Sequence, residues 1–376
     1  MQYDFAVLGL GGMGSAVAAH AARRGLRVAG FEQFPVVHDR GSSAGRTRII
    51  RKAYFEDAAY VPLLERAYTL WRELEERSQT ALLDLFGVLM VGHPDSTTIA
   101  GMRTSAAAYD VAVEQLDTAQ VRARFPRFDV RDDEVGIFEP DAGVVFPERA
   151  IAAYLNDARD AGAALYDGVR VRSYEQGAGG VRIKLEDGEQ VDAARVAICA
   201  GAWTNDLLAH LQLPLAVQRN VQYWFAPSQP CGPDVLPAFF LERPTLRARL
   251  YGIPDLGDGL KVAFHEYGAT TRSDDLDRDV HADEIAAMRE TLATVMPGTT
   301  MTLRDTKACM YTLTPDRNFA IGRDPHHARV VIASGFSGHG FKFVPVIGEI
   351  VTALLLDEDP GLDIEFLRLE RLMAGT

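Results

Sequence analysis

The run YDFAVLGLGGMGSAVAAHAARRG, residues 3–25, constrains this chain more than any other stretch. An apolar segment from Tyr3 to Leu8 leads into Gly9, Gly11, Gly12, Met13 and Gly14, and a helix of small residues then stops at Gly25. Gly9 permits a tight turn, Gly11 lets the backbone approach a pyrophosphate, and Gly14 lets helix and strand pack closely. A second apolar run, LRVAGF, ends in Glu32, 23 residues after Gly9. A carboxylate there accepts both hydroxyl protons of an adenosine ribose and repels a 2′-phosphate. Strand, turn, helix, strand and acid together predict a Rossmann-type βαβ dinucleotide unit. FAD and NAD both satisfy it.

The remainder of the chain must house that unit. With 376 residues, 47% of them hydrophobic, it is long enough for a large α/β domain and a second domain with its own core. The formal net charge of −13 would repel a polyanion, so nucleic acid is not an expected partner. Cys199, Cys231 and Cys309 are too few and scattered for a disulfide framework. They fit a reducing cytoplasm. No C-x-x-C or His-rich cluster suggests zinc, and no metal is expected. MQYDFAVLGLGG lacks a basic leader and a cleavage site, and FVPVIGEIVTALLL is too short and interrupted to span a bilayer, so neither export nor a membrane is expected.

Arg46, Arg48 and Arg51 crowd the segment GSSAGRTRIIRKAY, residues 41–54. Such a cluster is either a solvated surface or a loop held against a pyrophosphate, a flavin or a carboxylate. EDAAYVPLLERAYTLWRELEERS carries Tyr60, Leu64, Tyr68, Trp71 and Leu74 at helical spacing, a structural amphipathic helix. Strands are predicted around the Asp187-Gly188 turn, and the apolar one ending at Cys199 runs into Ala200, Gly201 and Trp203, a second close approach to a cofactor. AVQRNVQYWF alternates like a strand of a half-exposed antiparallel sheet, which FFLE, LYGIP and LKVAFH complete. HADEIAAMRETLATVM is a helix. ARVVIAS leads into GFSGHGFKF, a glycine-rich loop before a last helix, whose N–H groups and dipole suit an anion. These segments imply an α/β fold with a nucleotide domain of residues 1–80, 142–212 and 312–376. A substrate domain of residues 81–141 and 213–311 is expected on a mainly antiparallel sheet.

GLGGMG, RTRIIR, LKVAFH, KACMYTLTPD and GFSGHGFKF, in this order and over essentially the whole chain, resemble the monomeric sarcosine oxidase and N-methyltryptophan oxidase group of the FAD-dependent amine oxidoreductases. The resemblance implies FAD rather than NAD, joined through a thioether between Cys309 and the flavin 8α carbon. It implies that Arg51 and Lys342 hold a substrate carboxylate, that Tyr251 and His265 line the substrate cavity, and that Arg48, with its neighbour Thr47, lies under the isoalloxazine. Lys261 corresponds to a lysine beyond the flavin face where O2 reacts, a cation placed where superoxide charge develops. Ser42, Ser43, Arg46, Cys199, Met310, Tyr311, Gly338, His339, Gly340 and Phe341 complete the expected cofactor contacts. The implied reaction oxidises a secondary amino acid to an imine, which water converts to aldehyde and amine, while O2 yields hydrogen peroxide. A monomer is implied by the group's name.

This chain departs from the pattern in one loop. Ser43, Ala44, Gly45 and Arg46 stand where the group has paired histidines, glycine and aspartate, so a smaller side chain either admits a bulkier amine or changes flavin contacts. N-methyltryptophan, pipecolate and a fructosyl amino acid are therefore alternative substrates. The rival activities are a dehydrogenase of the same fold using another acceptor, a flavin-bound protein without turnover, and an NAD enzyme, in which GFSGHGFKF has no task.

Overall fold

Gly9 follows the strand Tyr3–Leu8 at a φ of +93°, and the helix Gly12–Arg23 leaves almost directly from that turn. The computed structural model describes residues 2–373. A Cβ on Gly14 would stand 1.8 Å from the Gly9 carbonyl oxygen, and one on Gly9 would stand 2.5 Å from that of Cys199. Helix and strands thus meet at backbone contact, which only glycine allows.

Val28–Glu32 and Gln190–Ile198 pair in parallel with the two edges of Tyr3–Leu8. His327–Ser334 pairs in parallel with Val196 to Ile198, and Ala164–Asp167 lies beyond Val28–Glu32. Antiparallel strands Val171–Gly177, Gly180–Leu185 and Ala320–Asp324 complete eight. Beginning, middle and end of the chain therefore share one sheet. Alternation along Tyr3–Leu8 sends Phe5 and Val7 to one face and Ala6 and Leu8 to the other. The first face packs on helices Gly12–Arg23, Val61–Ser78, Pro147–Asp160 and Val344–Leu355, with Trp71 and Tyr154 buried among them. Burying such a ring contributes on the order of 3 kcal/mol. Trp71 also positions function: its indole Nε1–H donates to the Lys342 carbonyl at 2.9 Å.

A second sheet of nine strands runs from Thr270–Thr271 through Ala216–Pro227, Leu260–Phe264, Leu250–Ile253, Ala238–Glu242, Val88–Gly92 and Val135–Glu139 to Glu114–Leu116. KACMYTLTPD, to which the sequence assigned no element, supplies the end of the ninth strand, Met301–Leu313, paired along Ala216–Pro227. Among the described residues its one parallel pair is Ala238–Glu242 with Val88–Gly92. The alternation in AVQRNVQYWF does not leave one face in water as expected, because Asn220 to Phe225 are all buried. Val221, Tyr223 and Phe225 pack with Met288 and Leu292 of helix Ala282–Val295. Trp224, on the other face, is covered by the loop carrying Arg46. Cys231, read as an incidental loop residue, is also part of this core. A small sheet of Arg48–Ile50, Gly143–Val145 and Leu83–Asp84 places Arg48 and Arg51 between the two large sheets. No helix among the described residues is long and apolar enough to cross a membrane.

Candidate active site

A cavity of about 600 Å³ extends from the glycine turn to the second sheet. This size suits an organic cofactor or ligand, since such sites span roughly 300–1,000 Å³. Gly9, Gly11, Gly12 and Met13 line one end, while Gly14 stands behind them as the packing contact. No side chain caps the helix at Gly11, so its first N–H groups are available to an anion, apart from that of Gly12, which donates to Ser43 Oγ at 3.2 Å. Glu32 lines the same end, its two oxygens accepting from Leu10 N–H at 2.9 Å and Phe34 N–H at 3.2 Å. Those bonds fix the carboxylate yet leave lone pairs for ribose hydroxyls. Cys199, Ala200, Gly201 and Trp203 form the adjoining wall, with burial pushing the Cys199 thiol up to about 12. Arg170 and Arg172, which the sequence reading missed, line the cavity too. The uncapped helix, the close-approach glycines and the terminal carboxylate fit the dinucleotide part of FAD.

The other end is built by loop 41–47 and the strands of the second sheet. Arg48 lines the wall and braces the loop by donating to the carbonyls of Ser42, Ala44 and Thr47 at 2.8, 2.5 and 2.8 Å. Ser42 and Ser43 lie on the wall, but Thr47 contributes backbone behind it. Arg46, expected at the cofactor, turns away. Its left-handed backbone at φ +66° directs the guanidinium over the Trp224 ring, 4.5 Å from the centroid, and into an ion pair with Asp305. The departure at Arg46 therefore adds no charge to the cavity. Ala44 is buried off the wall as well.

Lys261 is fully buried behind the loop, its Nζ donating to the carbonyls of Gly45 and Thr47 at 2.7 Å each. Burial, then Arg48, holds this amine well below the ordinary lysine range. Cys309 lies behind the wall, its Sγ 3.7 Å from the Ser42 carbonyl. It shares a strand face with Tyr311, which lines the cavity, as does Met310 between them.

Two cations meet at the glycine-rich C-terminal loop. Arg51 Cζ and Lys342 Nζ lie 4.3 and 5.1 Å from the centroid of the buried Tyr54 ring, and both side chains line the cavity. Arg51 donates to Glu56 at 2.6 Å and to the Ala53 carbonyl at 2.7 Å. Lys342 donates to the His339 carbonyl at 2.7 Å and Tyr54 Oη at 3.3 Å, so an ammonium keeps a third donor for a ligand. Burial, then the charge of Arg51, pushes Lys342 down to about 7. Burial would push the Glu56 carboxyl up, but Arg51, His339 and Lys342 together draw it down to about 2. At neutral pH the cluster therefore holds one permanent ion pair and one lysine poised to charge.

Gly338, His339, Gly340 and Phe341 line the cavity beside this cluster. A Cβ on Gly338, at φ +78°, would strike the Tyr311 ring at 2.3 Å. Tyr251 and His265 line the wall, where burial raises the phenol to about 12 and lowers the imidazole to about 3. His265, 3.5 Å from Glu266, is thus a neutral neighbour rather than an ion-pair partner. His339 is likewise lowered to about 4 by burial, and its Nδ1 sits 2.6 Å from Tyr54 Oη. Glu56, Met90 and Phe240 were missed. Glu56 is a bare carboxylate in the sequence, whose role exists only once Arg51 folds against it. Met90 and Phe240 belong to apolar strands that read as core.

A glycine-turn dinucleotide site that shares one cavity with Arg48, Arg51 and Lys342 fits a flavoprotein oxidoreductase. Residues 4–354 match the family model described as FAD dependent oxidoreductase, and the chain belongs to that family. It is 43% identical over 380 residues to the monomeric sarcosine oxidase of Streptomyces avermitilis, covering 99% of this chain and 98% of that protein. It is 36% identical over 376 residues to the N-methyl-L-tryptophan oxidase of Escherichia coli K12, covering 99% and 100%. Among solved structures, the open form of NikD, an unusual amino acid oxidase essential for nikkomycin biosynthesis, superposes with a TM-score of 0.86 at 25% identity, covering 97% of both chains.

Proposed function

We propose that this chain is an oxidase of a secondary amino acid such as sarcosine, using O2 and FAD attached to Cys309, and working as a monomer. The observation that carries the substrate class is the pair Arg51 and Lys342, two cations on one cavity wall with Glu56 as counter-charge. One acid against two bases leaves a net positive charge when Lys342 is protonated, which a substrate carboxylate neutralises. The Arg51 guanidinium offers a planar fork held rigid by Ala53 and Glu56, while Lys342 serves as a point charge.

FAD, when bound, supplies the two-electron acceptor for the C–H bond beside the amine nitrogen and passes the electrons to O2, giving peroxide. The protein's share is placement and charge. Arg51 and Lys342 hold the carboxylate, and Tyr251, Met90 and Phe240 bound the space for the rest of the substrate. The same cations favour the neutral, reactive amine over its ammonium. His265 and His339 stay uncharged at neutral pH and add no repulsion to a bound ammonium. Lys261, held below its usual range by burial, gains a proton most readily when negative charge develops nearby. Arg48 donates to the same Ser42 carbonyl that the Cys309 sulfur approaches, which puts a guanidinium close to the thiol and supports its role as the flavin anchor.

Anaerobic flavin bleaching with sarcosine, N-methyltryptophan, pipecolate, proline and a fructosyl amino acid, with glycine as primary-amine control, tests this reading. Rapid bleaching by at least one secondary amino acid but not by glycine is expected, and peroxide should match turnover when air is admitted. Bleaching by none of them removes the proposed substrate class, and bleaching without peroxide points instead to another electron acceptor.

A further inference from the structure

On a part of the protein that does not line the cavity, three residues distant in sequence converge. His210 Nε2 and His327 Nδ1 lie 3.0 and 2.9 Å from the same oxygen of Asp324, Oδ2, and the three ligand atoms all fall within 4.8 Å of one another. The Tyr174 hydroxyl donates to Oδ2 at 2.8 Å as well, and the His326 backbone N–H holds Oδ1 at 2.8 Å. Asp324 is fully buried, whereas the histidine side chains are 35% and 27% exposed, so solvent reaches the imidazoles but not the carboxylate behind them.

We propose that His210, Asp324 and His327 form a binding site for a divalent transition-metal ion such as Zn2+ or Ni2+. The argument is geometric. A carboxylate oxygen offers about two lone pairs, yet three donors converge on Oδ2. A cation relieves that crowding, because both imidazole nitrogens then give lone pairs to the metal and only Tyr174 still donates to Oδ2. Ligands bound at about 2.1 Å stand about 3.0 Å apart in adjacent octahedral positions and about 3.4 Å apart in the tetrahedral shell of Zn2+, so the edges of 3.0 and 2.9 Å fit the first as they stand and the second after a shift of about half an ångström in each histidine. Two imidazoles with one carboxylate select a borderline transition ion over Mg2+ or Ca2+, which prefer all-oxygen shells. The Tyr174 and His326 bonds to Asp324 are the outer partners such a ligand needs. The exposed side of the histidines leaves room for water ligands.

The site's place in the fold says what the ion does. Its ligands come from the short helix Ala209–Leu211 and from both strands of the Ala320–Asp324 and His327–Ser334 pair. A bound ion staples that helix to the sheet edge. His327 opens a strand of eight residues whose far end feeds the loop of Gly338 and Lys342, roughly 23 Å away at 3.3 Å per residue. The ion is therefore structural rather than catalytic. The sequence hides the site because His210 and Asp324 are 114 residues apart.

The test uses untagged holoenzyme stripped with chelator, re-equilibrated with Zn2+ or, separately, Ni2+, and passed through a desalting column before metal analysis. Mg2+ serves as the control cation, and His210→Gln, His327→Gln and the double variant are run alongside. About one equivalent of Zn2+ per chain is expected in the parent protein, with at least tenfold weaker binding by isothermal titration in each variant. The flavin spectrum and turnover of all three should stay at parent values, which certifies their folding. A parent protein that retains well under one equivalent, or variants that bind as tightly as the parent, overturns the proposal. Should the variants misfold, metal-free parent modified with diethylpyrocarbonate before Zn2+ is added should no longer take up the ion, and undiminished uptake by that modified protein would overturn the proposal equally.

Discussion

Lys342→Met separates the cost of the substrate cluster from its use. Holding a lysine down from 10.5 to about 7 corresponds to about 5 kcal/mol at a pH below both values. Methionine fills similar volume without a charge but leaves the His339 carbonyl unpaired, which costs about 1–3 kcal/mol. The variant should therefore be more stable than the parent by about 2–4 kcal/mol near pH 6. At about 2.1 cal/mol/K of unfolding entropy per residue over 376 residues, that is a rise in Tm of about 3–5 °C. The sign follows from proton binding: between 7 and 10.5 the unfolded chain holds a proton on this lysine and the folded chain does not, so parent stability climbs with pH. The advantage of methionine should shrink by about 1.4 kcal/mol per pH unit above 7, vanish between about pH 8.5 and 10, and become a deficit of about 1–3 kcal/mol near pH 10.5. Substrate binding should move the other way, because a charge-assisted hydrogen bond to the carboxylate is lost, worth about 1.5–3 kcal/mol or about 10- to 150-fold in KM. Differential scanning calorimetry from pH 6 to 10, with stopped-flow flavin reduction at varied substrate, reads both effects. A variant no more stable at pH 6, with KM unchanged, would refute a desolvated Lys342 that charges on binding the carboxylate.

Two further substitutions probe the flavin side. Lys261→Met should slow reoxidation by O2 at least tenfold more than anaerobic reduction, measured as separate half-reactions, and equal slowing of both would discard its assigned role. Cys309→Ser should release the yellow chromophore into the supernatant on acid precipitation, whereas the parent should keep it in the pellet. A parent that also releases it has no covalent bond.

Legibility in the sequence followed how local each feature is. Gly9, Gly14 and Glu32 could be placed because their task is set within one βαβ unit of about thirty residues, where strand, turn and helix dictate one another. Lys342 and Arg51 could be assigned only through resemblance to a family, since a lone loop cation carries no signal of its burial. Arg46 was misplaced for the same reason: nothing near it in sequence announces the Trp224 face and the Asp305 carboxylate that capture it. Glu56 lies five residues after Arg51, yet neither helical nor strand spacing marks the pair. The burial of Asn220 to Phe225 depends on helix Ala282–Val295 over one face and the loop carrying Arg46 over the other, both remote in sequence. Each miss is a tertiary contact overriding a sound local pattern.

The sheet that joins residues 3–8, 190–198 and 327–334 also fixes a timetable. A ribosome adding about 5–20 residues per second needs roughly 10–40 s after completing the first strand to supply its partner Gln190–Ile198. The loop with His339 and Lys342 emerges later still. Until then the nucleotide unit is a nascent βαβ fragment with an open apolar edge, and neither end of the cavity is complete. Cofactor capture is thereby tied to release of a finished chain, and a truncated product ending before residue 327 should be a substrate for proteases rather than a weak flavoprotein.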